Sequence, residues 1–113
     1  MSHRYNIGYL LTTTSEVYRC VNSSMVIVSG YAINTHASSS RQIYIQHVPA
    51  DETPDDKFSL YHEQNISAKG SLVIDDPVIL SPGESIYAKA SAGGEVALTL
   101  YIVPYADWIA SGS

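Results

Sequence analysis

Residues 78–103 constrain this chain more tightly than any other stretch. They run Val78-Ile79-Leu80, then Ser81-Pro82-Gly83-Glu84, then Ser85-Ile86-Tyr87-Ala88-Lys89-Ala90, then a Gly93-Gly94 pair, then Val96-Ala97-Leu98-Thr99-Leu100-Tyr101-Ile102-Val103. Pro82 presets the backbone for the first central position of a turn, and Gly83 supplies the positive φ that a type II turn needs next. Gly93-Gly94 suits a two-residue primed turn, whose twist matches antiparallel strands. The runs between are too short for helices and carry β-branched and aromatic residues. Three antiparallel strands in a meander are predicted, with no motif for chemistry among them.

The same alternation continues upstream. Residues 25–34 are apolar on both faces at first, which predicts a central strand between two layers. Gly30 inside it predicts a bulge or the close approach of another backbone. After a serine-rich turn, residues 41–48 predict a strand that Pro49 ends. Residues 50–57 form an acidic loop, and Phe58, Leu60 and His62 alternate with polar residues in a further strand. Leu72-Val73-Ile74 follows, and Asp75-Asp76-Pro77 breaks the chain before residue 78. With residues 16–19 counted, about eight strands spaced by turns predict an antiparallel β-sandwich of jelly-roll or Greek-key type. All 113 residues fit one domain.

The ends are expected to differ from the middle. Residues 1–14 are too apolar for a solvated tail and predict an N-terminal arm, and residues 104–113 carry the single tryptophan in an aromatic tail. Either both fold back over the open sandwich or one reaches a neighbouring subunit. On the second reading the candidate interface residues are Tyr5, Ile7, Tyr9, Leu10, Leu11, Tyr105, Trp108 and Ile109.

Charge narrows the function classes. Only 15% of residues are charged, against a usual quarter, so the surface is neutral and rich in Ser, Thr, Asn and Tyr. A net charge of −5 without a basic run predicts no nucleic-acid partner. No apolar run approaches the length of a bilayer span, so no membrane partner is expected. Residues 1–6 lack a signal pattern and Cys20 stands alone, which predicts synthesis in a reducing cytoplasm.

Catalytic patterns are not found. His3, His36, His47 and His62 show no metal-ligand spacing, although His47 and His62 would face each other if their strands paired in the right register. Asp51, Glu52, Asp55 and Asp56 crowd one loop but lack an Asp-x-Asp-x-Asp-Gly pattern. Cys20 reads as a small buried hydrophobe, and neither a Gly-x-Ser-x-Gly elbow nor a phosphate loop is present. No enzyme activity, metal or cofactor is expected. Surface tyrosines such as Tyr44 and Tyr61 leave open a carbohydrate-binding or host-attachment module.

Leu72-Val73-Ile74, residues 78–90 and Val96-Ala97-Leu98-Thr99-Leu100 resemble small virion structural proteins of tailed bacteriophages. The order of residues 25–34, the serine-rich turn and residues 43–48 is similar to theirs, so the likeness spans residues 15–103. The resemblance implies a non-enzymatic capsid decoration or stabilising protein. Its partners would be other virion proteins, and it would form a homo-oligomer such as a trimer. A neck or tail accessory protein is the alternative within that class.

Overall fold

The computed structural model describes residues 3–110. Residues 1–2 and 111–113, the extremes of the expected arm and tail, lie outside them. Nine strands build two sheets: β1 (His3–Tyr9), β2 (Ser15–Arg19), β3 (Met25–Asn34), β4 (Arg41–Val48), β5 (Ser59–Ile66), β6 (Ser71–Ile74), β7 (Val78–Leu80), β8 (Ser85–Ala90) and β9 (Val96–Pro104). A short helix, α1 (Tyr105–Ala110), ends the described chain. The first sheet is ordered β1-β9-β3-β6 with β7 also on β3, and the second β2-β8-β4-β5. Every pairing is antiparallel.

This order is a jelly roll. The chain behaves as one long hairpin with its tip between β4 and β5, so that β1 pairs β9, β2 pairs β8, β3 pairs β6 and β7, and β4 pairs β5. Rolling that hairpin sends successive pairs to alternate sheets. Strands β6 and β7 are two halves of one edge strand, since Ile74 pairs Gly30 and Val78 pairs Ile27 across the Asp75-Asp76-Pro77 break. The described residues therefore fill eight strand positions, whereas the eight strands expected from sequence omitted β1 and counted β6 and β7 separately.

Two expectations need correction. The 78–103 segment is not a meander: β7 and β9 lie in the first sheet and β8 in the second, so both turns cross between layers. The Pro82-Gly83 turn keeps its expected chemistry, with Gly83 at φ 94° and the Glu84 N–H on the Ser81 carbonyl at 3.0 Å. Turn chemistry records a change of direction, not which sheet the next strand joins. The N-terminal segment supplies a strand that the sequence-based count lacked, and of its two readings it takes the one that folds back: β1 pairs along β9 from His3–Ile102 to Tyr9–Ala97. Of its apolar residues, Ile7 and Leu10 pack against this molecule's own core, while Tyr9 and Leu11 stay exposed.

The core lies between the sheets, with Ile27, Ile43, Ile45, Ile86, Leu98 and Leu100 among its members. Gly30 sits hard against β9: a Cβ there would meet the Thr99 carbonyl oxygen at 2.7 Å. Val26 and Val103 are buried yet outside the core cluster, on the outer face where α1 crosses β3 and β9.

Candidate functional site

The eight candidate interface residues do not form one patch. Leu10 is 2% exposed and belongs to the core, because the chain turns inward there to pass from β1 to β2. Ile7 is half-buried against the same cluster. Tyr9 and Leu11 are exposed at the end of the sandwich where β9 begins. Tyr105 and Ile109 are exposed at the opposite end, with Trp108 half-buried, whereas Tyr5 is exposed midway, opposite Leu100 of β9. About seven strand residues, roughly 20 Å, separate Leu98 from Tyr105 along β9.

Two aromatic and apolar groups flank the β2–β3 loop. The Tyr5 ring meets Tyr18 edge-on at 5.4 Å, and the Tyr105 and Trp108 centroids are 6.0 Å apart. The Tyr105 N–H donates to the Ser24 carbonyl at 2.9 Å, which ties α1 to the β2–β3 loop. That loop presents Val21 at 64% exposure, and a depression of about 300 Å³ runs between Tyr5, Tyr18, Val21 and Met25. Val21, Tyr18 and Met25 were not singled out from sequence. Their signal was faint: an apolar Val21 flanked by Cys20 and Asn22-Ser23-Ser24 reads as part of a strand, not as a loop tip.

The other candidates separate. The register sets Ile45 against Tyr61 and Gln46 against Ser59, so β5 ends before it reaches His47. His47 Nε2 instead meets Glu84 Oε1 at 2.9 Å, and the His62 ring packs edge-on against Tyr44 at 5.4 Å. His36 turns back on its own loop, where its Nδ1 accepts the Ser38 and Ser39 N–H groups. Among the described residues no group of His, Cys, Asp and Glu side chains is placed to hold a metal. Residues 51–57 are all exposed, with Asp55 accepting the Lys57 N–H at the start of a 3-10 turn over Asp56–Phe58.

Tyr44 and Tyr61 lie on opposite faces of the second sheet. Tyr61 packs toward the core, and burial pushes its hydroxyl above the usual tyrosine range, helped by the Asp76 and Asp75 charges. Tyr44 points outward with the Lys89 ammonium 4.6 Å from its ring centroid. A stacking platform for sugars needs a free ring face, and the cation occupies one. Cys20 is fully buried, and burial raises its thiol. Its Sγ donates to the Ser23 and Leu80 carbonyls.

Between the β5 and β6–β7 edges an apolar pocket of about 180 Å³ opens, with Leu60, Tyr61, Asp76 and Val78 at its mouth. No described helix is long and apolar enough to cross a membrane. No family model, curated protein or solved structure matches the chain.

Proposed function

We propose that this chain is a non-enzymatic structural subunit of a bacteriophage particle, a capsid decoration or stabilising protein that associates with copies of itself and with other virion proteins. The observation that carries the reading is the pair of exposed aromatic and apolar groups on either side of the β2–β3 loop, Tyr5 with Val21 and Tyr105 with Ile109. Such a surface on a neutral body suits a partner face with many modest contacts, and repetition on a particle multiplies weak contacts through effective concentration. The jelly roll agrees at the level of architecture, since viral capsid domains use it, although lectins do too.

The test is the mass of the free chain by light scattering across a concentration series, together with its presence in gradient-purified particles. A symmetric oligomer such as a trimer is expected. Replacing Tyr5, Val21 and Ile109 together by Ser should yield a monomer with an unchanged far-UV spectrum. A chain that is monomeric at every concentration and absent from purified particles would overturn the proposal.

A further inference from the structure

The apolar pocket between the two sheets is not part of the surface beside the β2–β3 loop, and its origin can be traced. One edge strand of the first sheet is broken at Asp75-Asp76-Pro77, where proline removes a backbone donor. Facing it, β5 is bulged, with three residue steps from Tyr61 to Gln64 against two from Ile45 to Ile43. Glu63 takes φ 52° inside that bulge. Neither edge therefore closes over the core, and the gap between them leads inward.

The walls are aliphatic. Ile27, Ile45, Ile74, Ile86 and Leu100 line the interior, and each is at most 5% exposed. A recess of about 180 Å³ with such walls offers water few hydrogen-bond partners, and cavities of this size and character take benzene-sized molecules. The mouth has the opposite chemistry. Asp76 lines it, Asp75 adjoins it, and both are exposed without a cationic partner among the described residues. Tyr61 lines the pocket as well, and burial together with the Asp76 and Asp75 charges keeps its hydroxyl protonated.

We propose that this pocket binds a small organic cation, an ammonium carried on a compact apolar body such as a phenyl ring or a short alkyl chain. The body fills the aliphatic recess, and the ammonium lies at the rim against Asp76 and Asp75. An anionic ligand of the same shape is excluded by those carboxylates, and a neutral one gains only the apolar contact. The inference does not depend on the particle reading, because the pocket and the aromatic groups beside the β2–β3 loop are separate surfaces.

The experiment titrates the full chain with benzylammonium, benzyl alcohol and benzoate while recording methyl NMR signals of Ile45, Ile74 and Val78. Benzylammonium is expected to shift all three saturably, with benzyl alcohol about tenfold weaker and benzoate weaker still. Asp76→Asn should bring benzylammonium down to the level of the alcohol, and Val78→Phe should block the mouth to all three. The ligand series on the unaltered protein decides the matter even if a variant fails to fold. Absence of saturable shifts with benzylammonium would overturn the proposal, as would benzoate binding as tightly or an Asp76→Asn variant of unchanged affinity.

Discussion

Asn34 is the polar residue on which most of the local architecture converges. It is fully buried at the end of β3, and the two Nδ2 protons are shared among the carbonyls of Ser39, Ile66 and Ser67 at 2.9–3.2 Å. Its Oδ1 accepts the His36 N–H at 2.9 Å. One side chain thus satisfies backbone groups from two different loops, which no apolar residue of similar size can do. Asn34→Leu should cost about 2–4 kcal/mol, read as a lower urea midpoint with an unchanged slope. Glu84 acts similarly at the Pro82-Gly83 turn, where its Oε1 accepts the Ser81 N–H at 2.9 Å and meets His47. Burial alone would raise its carboxyl, but the Ser81 N–H and His47 outweigh that and hold it below the usual range. A depressed carboxylate stabilises the fold fully above its unfolded pKa of about 4.3, and that contribution is lost as pH falls through the lower folded value. Glu84→Gln should therefore be less stable than the parent at neutral pH, and the gap should narrow as pH drops below about 4. A gap of constant size from pH 7 to 3 would show that the carboxylate charge is irrelevant to the turn.

At the scale of elements, every edge strand is interrupted. Strand β1 is bulged between Asn6 and Gly8, and β2 between Glu16 and Tyr18. Strand β5 carries the bulge at Glu63, and β6 and β7 are separated by Asp75-Asp76-Pro77. Bulges and breaks of this kind prevent sheets from adding to one another edge to edge. The proposed association would therefore use faces and ends, not strand addition, in keeping with the exposed groups beside the β2–β3 loop. Deleting Glu63 leaves two residue steps between Tyr61 and Gln64, matching Ile45 to Ile43, and removes this bulge without exchanging the faces of β5, while the second bulge, opposite Ile45–Gln46, remains. That deletion should raise light scattering on storage relative to the parent; equal scattering would mean the bulge has no protective role. These devices also mark the limit of what the sequence reveals. Strands β2 to β9 were legible from alternation and from Pro82-Gly83 but β1 was not, and Gly30, read as a bulge or a close approach, lies hard against the Thr99 carbonyl with a bulge just before it. Bulges leave almost no local trace when the extra residue is a Glu. Sheet membership was not legible either, since it depends on partners such as Leu10, whose carbonyl receives the Gly94 N–H from a segment far away in the chain. The aromatic groups were half legible: Tyr5, Tyr105 and Ile109 stood out by type, whereas Val21 joined them only through the loop that carries it.

For the whole molecule, the rolled hairpin has a consequence that no single element displays. Strands β1 to β4 pair only with strands β5 to β9, and no strand pairs with another from its own half of the chain. The crossovers follow the same rule. Cys20 N–H donates to the Glu84 carbonyl, Leu10 N–H to Val96, and Lys69 N–H to His36, so each corner is also built from both halves. Neither half holds a hydrogen-bonded sheet or a closed core, and isolated strands in water are marginal at best. The halves meet at one exposed loop, residues 51–57, where cleavage removes no strand pairing. A single proteolytic cut there should leave a particle of parental mass, with the parental far-UV spectrum and a Cys20 thiol that still resists modification. After separation in denaturant, each fragment alone should be disordered with any thiol fully reactive, and equimolar mixing should restore both spectrum and protection. If either fragment regained β structure by itself, the interdependence of the two halves would be refuted, because the observed pairings give a lone fragment nothing to pair with.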